Sequence, residues 1–312
     1  GVNPGLYHVI LRTDIRNHIT EADEANNISA SLEQADIDAE ALTLGVPDTD
    51  TLDQGLSRFY RVDVPADQTL LVTLASDVTD AANRIFIGYE RVPTPADADF
   101  ASSGAFLADT ELVVPTTEAG TYYIMVQGEY VNGGTQNCDV TAEVIPFSVR
   151  GLSIDEVGNA GPVTLKINGA RFTSSTTFDV IDPSGVVYTA TSVIVTDSAL
   201  AFATFDLTGA DLGLYDIRAM DPGGGLTHTL ADGLTVNEGT GSQIDARFEG
   251  PPSVRFGSQY QFNLYYGNIG DGDGIAPLIW LANATGTPMS VVPGSYETPP
   301  GLLFLGASSE GP

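Results

Sequence analysis

Val163-Thr164-Leu165-Lys166-Ile167-Asn168-Gly169 alternates strictly between apolar and polar side chains. A two-residue period of this kind belongs to a β-strand with one buried face. It directs Val163, Leu165 and Ile167 inward and leaves Lys166 toward solvent. Working outward, the same kind of segment recurs as Phe59-Tyr60-Arg61-Val62-Asp63-Val64-Pro65, and again over 68–75, 84–91, 120–126, 201–207 and 213–219. Turn signals separate them. Asp182-Pro183-Ser184-Gly185 is one, and Gly223-Gly224-Gly225 after Asp221-Pro222 reads as a hairpin turn. Helical periodicity is absent except over 34–41, which reads as a link between two units. The expected fold class is all-β, built as tandem antiparallel β-sandwiches, jelly-roll-like and immunoglobulin-like.

A chain of 312 residues has room for two to four such domains, each able to bury a core without disulfides. The 34 glycines and 18 prolines suit short strands and turns, and only 17% of residues are charged. That charge is lopsided: 41 acidic against 12 basic residues give a net charge of −29, with Lys166 the sole lysine. Such a field repels nucleic acid and anionic membranes, so neither is an expected partner. It favours calcium, cationic surfaces, or a salty medium that screens the repulsion. Cys138 is the single cysteine, so no intrachain disulfide forms, a usage common in secreted bacterial proteins. No apolar run is long enough to span a membrane as a helix, and Gly1 follows no signal peptide. The chain therefore reads as a segment of a larger exported protein.

Four units follow from the order of strands and breaks, and resemblances to three families attach to them. Residues 1–30 hold a strand at Leu6–Arg12, then Asp14, Asn17, Glu21, Glu24, Asn26 and Asn27, then a second strand near Ile28. This spacing resembles the closing hairpin of CARDB-like adhesion modules. Residues 31–146 carry "FYRVDVPADQTLLVTLASD", "ERVPTPADADF" and "PTTEAGTYYIMVQGEY". They resemble the bacterial pre-peptidase C-terminal (PPC) domains, jelly-roll-like sandwiches appended to secreted proteases and surface proteins. Residues 147–238 carry "VTLKINGARF", "SALAFATFDL" and "GLYDIRAMDPGGG". They are similar to IPT/TIG immunoglobulin-like domains, which recur as spacers and adhesive modules. Glu238-Gly239-Thr240-Gly241-Ser242 has the composition of a flexible linker. Within 239–312, "YQFNLYYGNIGDGDGIAPLIWLA" resembles the opening of a further CARDB-like module.

Catalytic chemistry finds little footing. Only His8, His18 and His228 could act as a base in a triad, and no G-x-S-x-G elbow accompanies them. No H-E-x-x-H motif is present, and one cysteine cannot build a thiolate zinc site. Paired carboxylates are too numerous in an acidic chain to mark a glycosidase. Calcium is the one cofactor with candidate ligands: Asp48, Asp50 and Asp53 in one loop, Asp77 and Asp80 in a second, Asp97 and Asp99 in a third, Asp271 and Asp273 in a fourth. None matches the EF-hand spacing, and short acidic residues also populate turns by bonding their own backbone. Cys138 reads as a small core residue, and Lys166, facing solvent, as a poor isopeptide donor. Tyr122-Tyr123 and Tyr265-Tyr266 could supply an aromatic binding face, with one member of each pair directed to the core.

Together these readings predict no enzyme. They predict an extracellular or cell-surface bacterial segment that adheres, spaces or presents. Its partners would be other modules of the same protein, neighbouring copies, or a protein or carbohydrate surface. The rival expectation is an accessory or processed region of a secreted peptidase or hydrolase.

Overall fold

The computed structural model describes residues 4–306 apart from 17, 21–22, 24–26, 105, 256, 285 and 293–299. Asn17, Glu21, Glu24 and Asn26 of the hairpin pattern lie outside the described residues. The described residues divide into two compact units, Gly1–Pro146 and Phe147–Pro312, and every regular element in them is a strand.

The first unit opens with β1 (Gly5–Arg12) and β2 (Ile28–Ile37), an antiparallel ribbon interrupted by a bulge between His8 and Ile10. The stretch 34–41, the one candidate for helix, is extended instead. It runs through the end of β2 into β3 (Glu40–Ala41), which pairs with β5 in parallel. Then follow β4 (Asp48–Asp53), β5 (Ser57–Val64), β6 (Thr69–Ser76) and β7 (Ala81–Tyr89). The sandwich is completed by β8 (Phe100–Ala101), β9 (Thr110–Val114), β10 (Gly120–Val131) and β11 (Thr135–Ile145). They form a five-stranded sheet, β3-β5-β10-β7-β8, and a four-stranded sheet, β4-β11-β6-β9. Alternation explains the core directly. Tyr60, Val62, Ile85, Ile87, Tyr122, Ile124 and Val126 face inward from one sheet, and Leu52, Leu70, Val72, Leu74, Val114 and Val140 from the other. A polar bridge crosses the gap. Gln136 Nε2 on β11 donates to Asn83 Oδ1 on β7 at 2.6 Å, and Asn83 Nδ2 returns a bond to Gln136 Oε1 at 3.1 Å. Ser76 Oγ also donates to Gln136 Oε1, so the buried amides are paired and fix how the sheets meet.

The second unit begins with β12 (Ser148–Leu152), β13 (Glu156–Gly158), β14 (Pro162–Ala170), β15 (Thr177–Ile181) and β16 (Val187–Thr189). It continues with β17 (Ser192–Asp197), β18 (Leu200–Asp206), β19 (Gly213–Asp221) and β20 (Leu226–Asn237). Its sheets are β12-β14-β18-β17 and β13-β20-β19-β15-β16, with β13 parallel to β20 and the other pairs antiparallel. Val163, Leu165 and Ile167 meet Phe178, Val180, Phe205, Tyr215 and Ile217 in one core. Gly223 to Gly225 turn the chain from β19 into β20. Asp179 is buried on β15, where its carboxylate accepts Nε of Arg218 at 3.1 Å and the hydroxyl of Thr189 at 2.7 Å.

Each sandwich contains the same corner. Tyr122 Oη donates to the carbonyl of Glu118 at 3.4 Å and accepts its N–H at 2.9 Å, and Tyr215 Oη donates to the carbonyl of Asp211 at 2.6 Å. In both, a buried tyrosine near the start of a long strand reaches back four residues across an acid-x-Gly-x-Tyr sequence, Glu118–Tyr122 and Asp211–Tyr215. The arrangement is that of the tyrosine corner known in Greek-key sandwiches.

After β20 come two separate ribbons, β21 (Ile244–Glu249) with β22 (Asn263–Asn268), and β23 (Leu278–Ala282) with β24 (Gly301–Leu305). Among the described residues, no apolar side chain beyond Val236 or before Ala39 belongs to a buried core.

Candidate functional site

The acidic loops were the strongest candidates in the sequence, and the structure assigns most of their carboxylates to donors in the protein. Asp48, Asp50 and Asp53 lie on strand β4 and not in the expected loop, and its even positions face inward, so Asp48 and Asp50 share the side of buried Leu52. Asp50 pairs with Arg58 Nε at 3.2 Å and accepts the Thr51 N–H at 2.6 Å. Asp53 points the other way and accepts the Thr135 hydroxyl at 2.6 Å. Asp77 accepts both the backbone and the side-chain N–H of Asn137, each at 2.8 Å. Asp80 is exposed, and its carbonyl accepts the Asn132 N–H at 3.0 Å. Asp97 and Asp99 both bind Arg91, at 2.6 and 2.7 Å. That guanidinium, with the Tyr89 N–H, holds the Asp99 carboxyl below its usual range. Asp271 accepts the N–H groups of Thr240 and Gly241, and Asp273 accepts the Thr164 hydroxyl. Among the described residues no three histidine, cysteine or acidic side chains come together in a group that could hold a metal ion.

The histidines and the cysteine are placed apart from one another in sequence and pairing. His8 Nδ1 lies 2.8 Å from the Ser31 carbonyl, and His228 Nδ1 accepts the Val149 N–H at 3.1 Å. The backbone N–H of His18 donates to Asp14. Cys138 is buried, with its thiol 3.6 Å from the Asp50 carbonyl, and burial followed by the Asp50 charge pushes its pKa up to about 11. A thiol kept neutral in this way behaves as a small apolar group. Beside it, the Tyr60 hydroxyl is buried with no protein hydrogen bond. Burial and then the Asp50 charge raise its pKa as well.

The tyrosine pairs divide. Tyr122 is in the core and Tyr123 half-buried, as alternation predicts. Tyr265 and Tyr266 are both exposed, which corrects the expectation that one of them is core: among the described residues β22 is paired with β21 alone, in a ribbon with no buried apolar side chain. Tyr265 carries the Arg247 guanidinium 5.1 Å above its ring, and Phe248 stacks on Phe262 at 5.1 Å. An open cleft of about 480 Å³ in the second unit is lined by Ile181, Asp182, Pro183, Leu214, Asp216 and Asp232. Its carboxylates serve the loop that forms it. Asp182 Oδ1 accepts Ser184 N–H and Val186 N–H at 2.8 Å, and Asp216 accepts the Asp232 N–H at 2.9 Å. No helix in the described residues is long and apolar enough to cross a membrane.

The signal that sequence reading missed is the acid-x-Gly-x-Tyr motif, which occurs once in each sandwich, at Glu118–Tyr122 and Asp211–Tyr215. No protein-family model matches the chain, and no curated protein is similar to it. Among solved structures, the chain is similar to the pre-peptidase C-terminal domain of a collagenase from Bacillus anthracis. The identity is 13%, covering 34% of this chain and 95% of that one, with a TM-score of 0.28.

Proposed function

We propose that the chain is a non-catalytic, extracellular segment of a bacterial surface or filament-forming protein, in which β-sandwiches in series set reach and present adhesive faces. The observation that carries this reading is the pair of self-contained cores, one within 42–142 and one within 147–236, each built from its own stretch of sequence. The net charge of −29 keeps such a segment soluble and away from nucleic acid. Exposed apolar strands near both ends supply surfaces for neighbouring modules or a protein or carbohydrate ligand. Calcium enters only as a stabiliser, so the expected outcome is a higher melting temperature in millimolar calcium than in chelator. An unchanged value removes calcium from the proposal.

The test of the main reading uses the full chain on beads, offered bacterial cell envelopes, fibrous protein and insoluble polysaccharide. Retention on at least one surface, with no hydrolysis of general protein or glycan substrates, is expected. Hydrolysis by the purified chain would overturn it. A second reading, favoured by the PPC-like sequence over 31–146, makes the segment an accessory of a secreted peptidase. A catalytic domain in the same gene, with no further sandwiches, would select it.

A further inference from the structure

The stretch 239–242 has a linker's composition, yet it is held at several points. The Asp271 carboxylate accepts the Thr240 N–H at 3.0 and 2.9 Å from its two oxygens, the Gly241 N–H at 2.8 Å, and the Thr240 hydroxyl at 3.3 Å. In return, the Asp271 N–H donates to the Gly241 carbonyl at 3.2 Å. Gly239 N–H donates to Asn159 Oδ1 at 3.1 Å, and Asn159 Nδ2 donates to the Ala210 carbonyl at 2.8 Å. The Asp271 carbonyl accepts the N–H of Gly158, the last residue of β13, at 3.0 Å. Two residues on, Asp273 N–H donates to the Pro162 carbonyl at 2.8 Å, and its carboxylate accepts the Thr164 hydroxyl at 2.5 Å, both on β14.

The glycines record how close the segments run. A Cβ at Gly270 would lie 2.0 Å from the Gly241 carbonyl oxygen, and one at Gly239 would lie 2.7 Å from the Asn159 nitrogen. Glycine is required where backbones approach like this. A tether between free domains needs none of these bonds.

We propose that residues 237–243 and 268–274 form a rigid joint, with Asp271 as its latch, fixing the direction in which β21–β24 leave the 147–236 sandwich. Two successive backbone N–H groups converging on one carboxylate make a charge-assisted clasp that requires no cation. Asp273 and Asn159 set the joint against β14 and the loop at Ala210, so the segment is restrained about more than one axis. The joint is independent of what the protein adheres to.

Trp280, the sole tryptophan, lies on β23 beyond the joint and serves as a built-in reporter. The experiment uses the full chain and reads two things: hydrogen exchange at Gly239, Thr240 and Gly241, and time-resolved anisotropy of Trp280. The parent is expected to protect these amides and to show Trp280 tumbling with the slow correlation time of the second unit. Asp271→Ala should speed exchange at the three amides by roughly tenfold or more, leaving β19 unchanged, and add a fast Trp280 component. Asp271→Asn, which keeps an acceptor oxygen without the charge, should fall between. Exchange in Asp271→Ala within about twofold of the parent would overturn the latch. So would acceleration of β19 to the same degree, which makes the carboxylate a support of the whole sandwich. A fast Trp280 component already in the parent would overturn the rigid joint.

Discussion

Tyr122-Tyr123 and Tyr265-Tyr266 are the same dipeptide on the same kind of strand, with opposite fates. Tyr122 is 2% exposed, deep between two sheets, whereas Tyr265 is 44% exposed and Tyr266 37%. Their strands differ little in apolar content. What differs is the second layer: β10 shares a core with β4-β11-β6-β9, whereas among the described residues β22 is paired with β21 alone and the two bury no apolar side chain. Strand pairing satisfies the backbone, but a core requires two faces about 10 Å apart. The two-residue period is a local property, and burial is a tertiary one. The same contrast separates β6, with Leu70, Val72 and Leu74 buried, from β1, where Leu6, Ile10 and Leu11 are exposed.

The largest test of this contrast is core truncation. Phe205→Ala removes a ring buried between two sheets and is expected to destabilise the second unit by about 3–5 kcal/mol, measured by guanidinium unfolding. Leu303→Ala on β24 should change stability by less than about 0.5 kcal/mol, since the side chain is exposed. Comparable losses would mean that the open ribbons are covered in solution.

Next comes the buried carboxylate of Asp179. Arg218→Ala leaves that charge without its main partner, at an expected loss of about 2–4 kcal/mol, reduced from the fully buried case because Arg218 is partly exposed. Asp179→Asn combined with Arg218→Met should recover much of it. No recovery would assign the effect to packing of the arginine stem rather than to the unpaired charge.

The corners should give smaller, matched effects. Tyr122→Phe and Tyr215→Phe each remove the hydroxyl that ties the corner together within a closed sandwich, and each is expected to lose about 1 kcal/mol. Tyr265→Phe should leave stability within about 0.5 kcal/mol of the parent. Unequal losses at 122 and 215 would show that the two corners are not equivalent in use.

The smallest expected effect is acid sensitivity. Arg91 beside Asp99, and the Thr208 hydroxyl and N–H beside Asp206, hold both carboxyls below their usual range. A depressed folded-state pKa contributes stability that is fully present above the unfolded value of about 4 and is lost as pH falls through the folded value. Melting temperatures should therefore be flat from neutral pH down to about 5 and decline below about 4. Asp206→Asn should flatten part of that decline. A decline beginning near pH 6 would point to histidine instead.

Much of the architecture was legible in the sequence. Strict alternation at Val163, Leu165 and Ile167 dictates which face is inward, and the turn at Asp182-Pro183-Ser184-Gly185 carries its own hydrogen bonds within four residues. Local chemistry of that kind can be read from neighbours in sequence. The joint could not be read that way. Asp271 meets Thr240 across 31 positions, and Asp273 meets Thr164 across 109, so nothing near the aspartates in sequence distinguishes a clasp from a calcium loop. The acid-x-Gly-x-Tyr motif was legible in principle, because it occurs at the head of the long strand in both sandwiches. It is short enough to pass unnoticed until the hydroxyls are seen to reach back.

The order in which strands pair also governs how the chain can be made. In the first sandwich β11 lies between β4 and β6, so Cys138 registers against both Asp50 and Ser76. In the second, β20 seats β13 at its edge through Thr235, Val236 and Asn237. A chain emerging from its N-terminus cannot close either sandwich until its final strand is out. Throughout that interval the apolar faces of β6 and β7, or of β14 and β18, are open to other chains. Long-range β pairing of this kind is slow to form and prone to aggregation while it waits. Each final strand, β11 in the first sandwich and β20 in the second, is therefore the step that ends this exposure.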